Sequence, residues 1–418
     1  MSLLPSMTIS RKILSDPLNK WLFSVSGLKI YLVGGYIRNI LLGKSAADRD
    51  YVIKGSAEEI ARHTADKFKG TFFQFKSKGT HRVALHNGSC LDFTEVKGDI
   101  RSDLSLRDFT VNAIAWSPSQ GIIAHPSHLL DLTNRYIKVV NSQNLGDDPL
   151  RVLRAYRIAS QLEFSIFPQT RRYLREYAPA LRNTASERIT DEIFKIFNHK
   201  LSLDYIQLAI QDNVFSHVIP RTQGKIYVIR QLKNFNFLLL RIKTLTNGKT
   251  ILNHMESELS QGLTRSGLLR LYLFIRNASL IKKSKYEWND AGYGRLAVSR
   301  EIKKTIARIT MAEKLCYRRM SDSRLYEIFR IACPNTYETA CINSLLKGRG
   351  INRYFAKATA FNRHREKPLL SGDDVMQHCS IKEGVFVGHI IDEIQRMRFT
   401  NKLTDRQSAL KWIESNFT

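Results

Sequence analysis

Cysteine is scarce and poorly placed for cross-linking. The 418 residues hold five, Cys90, Cys316, Cys333, Cys341 and Cys379, scattered, odd in number and never in a CxxC pair. That argues against a disulfide framework and against a zinc site, and it fits a reducing, cytoplasmic setting. Long apolar runs are also missing. The longest, near Phe235 to Leu240, is bounded by Arg230, Lys233, Arg241 and Lys243, so nothing reads as a membrane span. Arg11 and Lys12 precede no extended apolar core, so residues 1–27 read as a short amphipathic lead-in helix rather than a signal peptide. There is no internal repeat and no low-complexity linker. His199, His217 and His254 stand apart, and without a His-His-Asp cluster a metal-dependent phosphohydrolase domain is not expected. Acidic side chains are the last deficit: 38 Asp and Glu face 65 Lys and Arg, for a net charge of +27. The excess is spread along the chain. It implies a polyanionic partner, most simply nucleic acid, the alternative being a general basic drift of the host's proteins.

What is present is organised around Lys29 to Val52. Ile30 to Val33 reads as a buried strand, Gly34-Gly35 as a turn, Tyr36 to Leu42 as a short helix, and a second strand carries Asp48-Arg49-Asp50. Alternation puts Asp48 and Asp50 on one strand face. Two carboxylates so close repel unless a cation neutralises them, and Mg²⁺ suits carboxylates and phosphates together. A Gly-Gly turn at a helix start leaves backbone N–H groups for an anion, with Arg38 one turn on. Together they form a constellation for two-metal nucleotidyl transfer.

Further along, Ser56 reads as a helix cap, and Thr71 to Phe75, His81 to Leu85 and Cys90 to Glu95 read as strands, with a hairpin at Asn87-Gly88. Beyond Asn112 the pattern is almost entirely helical. Leu106 to Ala113, LRDFTVNA, puts Asp108 and Asn112 four apart, on one face if helical, where they can meet ribose hydroxyls; Arg107 can reach phosphate and Phe109 and Val111 pack inward. The plainer reading is a helix start capped by Asp108. In Asp147 to Ser160, DDPLRVLRAYRIAS, Asp148-Pro149 reads as a helix start and Arg151, Arg154 and Arg157 as a basic stripe. Ser186 to Glu192, SERITDE, reads as a capped helix start with a structural role. Thr404 and Gln407 form a capping box for the last helix.

The opening GGxxR…LLG…DxD stretch, LRDFTVNA and SERITDE resemble motifs of the class II tRNA nucleotidyltransferase and bacterial poly(A) polymerase family. The resemblance covers Lys29 to Glu192 and, loosely, the last fifty residues, where PLLSGDDV (Pro368 to Val375) and LTDRQSALKWI resemble a tail module that holds the tRNA elbow, or else a small packing unit. It implies an α+β fold: a nucleotidyltransferase-type mixed β-sheet head (residues 1–140), then an all-α neck (141–200), body (201–362) and tail (363–418). It implies Asp48 and Asp50 as metal ligands, Asp92 as a third catalytic carboxylate (or a solvent-facing one), and Gly34, Gly35, Arg38, Arg107, Asp108 and Asn112 as nucleotide contacts. The family's [ED]DxxR element matches Asp148 and Arg151, with Asp147 where glutamate is common, and selects the incoming base; Arg154 and Arg157, further along that helix, are implied as nucleotide contacts too. Cytosine and adenine offer the exocyclic amino group a carboxylate can accept from. Implied partners are tRNA, at acceptor stem and elbow, with CTP and in some members ATP, and no membrane. Full CCA-adding members carry a flexible loop longer than the ten residues, Val96 to Ser105, available here. A short loop marks CC-adding enzymes, which act ahead of an A-adding partner. Full CCA-adding, A-adding and poly(A)-adding enzymes stay open, as does a non-catalytic basic RNA-binding protein on a retired core, which the retention of both Asp48 and Asp50 opposes. Asn39 and Leu106 depart from the family's aspartate and arginine.

Overall fold

The computed structural model describes residues 6–25, 27–75, 79–96, 98–219, 225–276, 293–316, 320–347 and 350–417. They divide into two compact units, Met1–Glu192 with Asp204–Val218, and Ile193–Leu203 with Ile219–Thr418.

The first unit is built on a seven-stranded sheet: β1 (Lys29–Val33), β2 (Arg49–Lys54), β3 (Thr71–Phe75), β4 (Thr80–Ala84), β5 (Cys90–Glu95), β6 (Ala115–Ser117) and β7 (Gly121–Ile123). Their order is β3-β4-β5-β2-β1-β6-β7, and β2 with β5 is the parallel pair among antiparallel neighbours. The helices of this unit are α1 (Ser6–Leu14), α2 (Pro17–Leu22), α3 (Gly35–Leu41), α4 (Ala57–Phe68), α5 (Ile100–Ser105), α6 (Pro126–Thr133), α7 (Gln143–Asp147), α8 (Arg151–Leu162), α9 (Pro168–Tyr177), the first half of α10 (Ser186–Asn198) and α11 (Leu203–Gln211). Tyr31, Val33, Val52, Ala113 and Ala115 share a buried cluster with Ile100 and Leu104, so α5 seals against strands β1, β2 and β6.

The mixed-sheet head and helical remainder follow the expectation, with local corrections. The lead-in helix is two helices, because Asp16 breaks the first and caps the second through the N–H groups of Leu18 and Asn19, ahead of a proline at its first turn. Strands β6 and β7 lie beyond Asn112, where little but helix was expected; at three residues each they are too short to show a period. A two-residue ribbon, β8 (Tyr136–Ile137) with β9 (Ser165–Ile166), joins the helices that follow. Ser56 caps α4 by accepting from the Glu59 N–H at 3.2 Å.

The second unit is helical: α12 (Lys225–Ile242), α13 (Gly248–Glu256), α14 (Arg265–Ile275), α15 (Arg300–Lys314), α16 (Asp322–Ala332), α17 (Thr336–Lys347), α18 (Ile351–Glu366), α19 (Gly372–Cys379), α20 (Val385–Phe399) and α21 (Arg406–Phe417), with one small ribbon, β10 (Glu258–Ser260) and β11 (Leu263–Thr264). Helix α14 is buried from Ser266 to Ile275. Helices α19 to α21 close a small core of their own around Val375, Ile390 and Ile413. The capping box of α21 sits one residue later than Thr404 and Gln407: Asp405 accepts from the Ser408 N–H at 2.8 Å, and Ser408 Oγ accepts from the Asp405 N–H at 3.2 Å. Among the described residues no helix is long and apolar enough to cross a membrane.

Candidate active site

The site begins where β1 runs out. Gly34 has φ +71° and ψ −133°, a backbone region open in practice to glycine alone, and it starts α3 without a side-chain cap. A Cβ there would lie 3.3 Å from Arg107 Nη1 and 3.5 Å from Asp50 Oδ2, so glycine is needed for conformation, while the added atom would press only on the end of the Arg107 side chain. Gly34→Ala should therefore cost about 1–3 kcal/mol in chemical denaturation, with loss of activity; a wild-type unfolding curve would refute the strain.

Register assembles the carboxylates. Asp50 on β2 lies directly across from Asp92 on β5, so both side chains project from one face, and Asp48 precedes Asp50 by one alternation. Asp48 Oδ1 accepts from the Cys90 N–H at 3.0 Å. Asp92 is tied: Arg82 on β4 grips it with two hydrogen bonds of 2.7 Å. Asp48 and Asp50 make no ion pair among the described residues. Desolvation raises the Asp50 carboxyl above its ordinary range; Arg107 pulls it back, while Asp92 pushes it up, then Arg154 lowers and Asp48 raises. Repelling oxygens without a direct ion pair among the described residues suit a hard divalent cation. Among the described residues no group of three or more His, Cys, Asp or Glu could hold a metal alone, so an ion on Asp48 and Asp50 needs further oxygens from water or a phosphate.

Behind the carboxylates runs a continuous polar chain. Arg38 donates to Asn39 Oδ1 at 3.1 and 3.0 Å and to Asn112 Oδ1. Asn112 Nδ2 donates to Asp108 Oδ1 at 2.9 Å, and Arg154 donates to Asp108 Oδ2 at 2.9 and 2.7 Å. Arg154 then approaches Glu192 at 3.9 Å, and Arg157 pairs with Glu192 at 2.5 Å. Burial lowers Arg38 to about 10, Asp108 acting against it and Arg157 and Arg154 with it. Burial would raise Asp108, but Arg154, the Asn112 amide and the Phe109 N–H outweigh it and bring the carboxyl down to about 2.

Two expectations change here. Leu106 to Ala113 is not a helix: Phe109 is extended (φ −129°, ψ 150°), bridges Val139, and only Thr110–Asn112 forms a 3₁₀ turn. Asp108 and Asn112 meet anyway, but Asp108 spends both oxygens on protein donors, so it holds its neighbours rather than a ribose. Phe109 and Val111 are buried, as expected. Asp148 likewise does not cap α8. It is extended, its Oδ2 accepts from Arg188 at 2.8 Å, and its buried Oδ1 has no partner among the described residues. Asp147 is exposed. The three arginines of α8 are not a solvated stripe: Arg154 and Arg157 pair as above, and Arg151 Nη1 donates to the Asn144 carbonyl at 3.1 Å.

Arg107, Asp108, Asp148, Arg151 and Arg154 line one cavity of about 400 Å³, joined by Asp103, Leu106, Leu150 and Arg188. That is the size of a small-ligand cleft. Sequence reasoning missed Arg188, Glu192, Asn144 and Asp103. Arg188 and Glu192 sit in the SERITDE segment, where their roles depend on α10 packing beside α8. Asn144 fastens the carbonyls of Ser105 and Arg107 at 2.9 and 2.8 Å. Asp103 orients Arg107 at 3.0 and 2.9 Å.

Residues 30–138 match the family described as Poly A polymerase head domain, and residues 163–225 match the one described as the probable RNA and SrmB-binding site of polymerase A. Over 92% of both chains the protein is 27% identical to a CC-adding tRNA nucleotidyltransferase of Synechocystis sp.. It is also 27% identical to a CCA-adding enzyme of Lactococcus lactis, over 93% of this chain and 92% of that one. Its fold superposes on the Thermotoga maritima CCA-adding enzyme complexed with tRNA at a TM-score of 0.74 and 21% identity, covering all of both chains.

Proposed function

The chain belongs to the class II tRNA nucleotidyltransferase and poly(A) polymerase family, and from that premise we propose that it adds cytidines from CTP to the 3′ end of tRNA and stops at CC. The 3′-hydroxyl attacks the α-phosphorus of CTP, releasing its proton to solvent and forming the new O–P bond as the bond from the α-phosphorus to the α–β bridging oxygen breaks and pyrophosphate leaves. Arg107, Arg38 and the Gly34-Gly35 turn hold the triphosphate. Magnesium is the ion we assign to Asp48 and Asp50; when bound it supplies neutralising charge at the transferring phosphate. Asp92 stands beside them under Arg82. Asp148 Oδ1, the buried acceptor without a partner, takes the exocyclic amino group of cytosine. Arg151 donates to the ring acceptors and Arg188 keeps Asp148 in place. Residues 1–140, 141–200, 201–362 and 363–418 serve in this reading as head, base-selecting neck, RNA-binding body and tRNA-binding tail, all in the cytosol.

The relatives named CC-adding and CCA-adding stand at equal identity, so likeness does not choose between them. The carrying observation is the connection after the Asp92 strand: β5 ends at Glu95, α5 already begins at Ile100, and Ile100 and Leu104 are buried in the head core. That leaves no length for a mobile loop to reshape the pocket for adenine.

The test uses tRNA transcripts ending at the discriminator base or in CC, given CTP, ATP or both, with Mg²⁺ and single-nucleotide resolution. Two cytidines and a stop, with ATP present, is the expected product. Completion to CCA would overturn the short-loop reading and leave the family assignment standing; A-only or long A tracts would move the protein to another branch.

A further inference from the structure

Helix α12 contains no acidic residue and turns an unusual face outward. Tyr227, Phe237 and Leu240 are 44%, 62% and 58% exposed, against a background in which most large apolar side chains are buried. Between them stand Arg230, Lys233 and Arg241, also exposed and without an ion pair among the described residues. The opposite face, Val228, Leu232, Phe235, Leu238 and Ile242, is core. An aromatic-basic surface free of acids fits a polyanion that also offers flat rings.

The chain leaving α12 forms one wall of a second cavity, about 230 Å³, closed by α13 and α18. Its floor is apolar, Ile251 and Phe355, each 1% exposed. Its rim is uncharged: Thr246, Asn247 and Asn352, whose side chains make no hydrogen bond among the described residues. Lys243 and Lys249, exposed and without an ion pair among the described residues, flank it in sequence. A space below the roughly 300–1,000 Å³ of a whole-ligand cleft, with an aromatic floor and free amides, suits one ring system rather than a complete nucleotide. Amides can donate and accept along a base edge, whereas a charged lining would select phosphate.

The geometry points to a second RNA-binding site, in which the α12 face follows the phosphate backbone and this cavity takes one unstacked base of the RNA substrate. The inference rests on the proposed RNA substrate and deepens it. Unstacked bases seated on aromatic side chains and read at their edges are how single-stranded positions of RNA are recognised.

Ala356 lines the cavity, is exposed, and belongs to neither the core nor the nucleotide site, so Ala356→Trp fills the space. With the full chain, Ala356→Trp and Asn352→Ala should each weaken binding of whole tRNA on the order of tenfold. Incorporation on a blunt acceptor-stem hairpin, which carries a 3′ end and no unpaired loop of tRNA, should be unchanged. RNA carrying 4-thiouridine should cross-link to peptides spanning 244–251 or 352–359, and Lys233→Glu should reduce that yield. Unchanged tRNA affinity in both cavity variants, or cross-links only elsewhere, overturns the proposal. Saturation of the cavity by free CMP or AMP with no change in RNA binding would make it a free-nucleotide site and overturn it as well. Inactivity of the wild type on the hairpin and on tRNA would instead count against the tRNA reading.

Discussion

Asp50→Asn should abolish nucleotide incorporation while raising the melting temperature of the nucleotide-free protein. The two halves have one cause. Asp50 is desolvated where it stands opposite Asp92, and that loss of water, with Asp92 and Asp48 adding to it, raises its carboxyl above the ordinary range, Arg107 recovering only part of the cost. A raised carboxyl binds its proton more readily in the folded chain than in the unfolded one. Its ionisation therefore costs stability at neutral pH, and that cost disappears as the pH falls. The amide has the same shape without the charge, so the variant should lose that pH dependence and melt higher. Incorporation should fall by ~10³-fold or more, the scale of several kcal/mol of charge stabilisation at phosphorus, while tRNA binding, measured by filter retention, stays within about twofold, since one charge at the site is a small part of a phosphate-dominated interface. Full activity would remove Asp50 from the metal assignment. A lower melting temperature would make it a structural residue instead.

The second large effect belongs to Asp108→Ala. Asp108 is buried and accepts four hydrogen bonds, two from Arg154, one from Asn112 and one from its neighbour's N–H. Its removal leaves Arg154 with only Glu192 at 3.9 Å and frees the Asn112 amide. Breaking such a pair from one side costs about 3–5 kcal/mol, to be read from urea unfolding. Acid adds a second reading. The carboxyl titrates at about 2 in the folded chain against an ordinary 3.8, so its contribution is complete above about 3.8 and is lost as the pH falls toward 2. Wild type should therefore lose stability more steeply across that window than Asp108→Asn does. Parallel acid profiles would show that the pair contributes nothing.

Much of the head was legible because it is local. The strand, Gly-Gly turn, short helix and DxD of Lys29 to Val52 are set by alternation, apolar spacing and two glycines with positive φ, Gly34 and Gly43, all readable within a few residues. The β4–β5 hairpin follows from Asn87-Gly88. What was not legible depends on distant partners. That Asp92 lies beside Asp50 follows from a parallel pairing across 42 residues, and that Arg82 occupies it follows from the next strand over. LRDFTVNA has helical spacing, yet Phe109 is drawn into a bridge with Val139 and the segment is extended. Asp148 has the look of a cap but turns to Arg188, forty residues away. Strands of three residues leave no pattern to read.

The chain of contacts from Arg38 through Asn112, Asp108 and Arg154 to Glu192 and Arg157 also constrains how this sequence can change over generations. Each member between the two ends is held by two others, so no interior position is free to drift by itself. Replacing Glu192 first removes the carboxylate from both Arg157, which keeps its bond to Gln161 at 2.9 Å, and Arg154, whereas replacing Arg157 first leaves Glu192 still held by Arg154, so the order of substitutions decides which routes are passable. Descendants should exchange these residues in pairs, and a lone departure along the chain should be tolerated only where its neighbour has already moved.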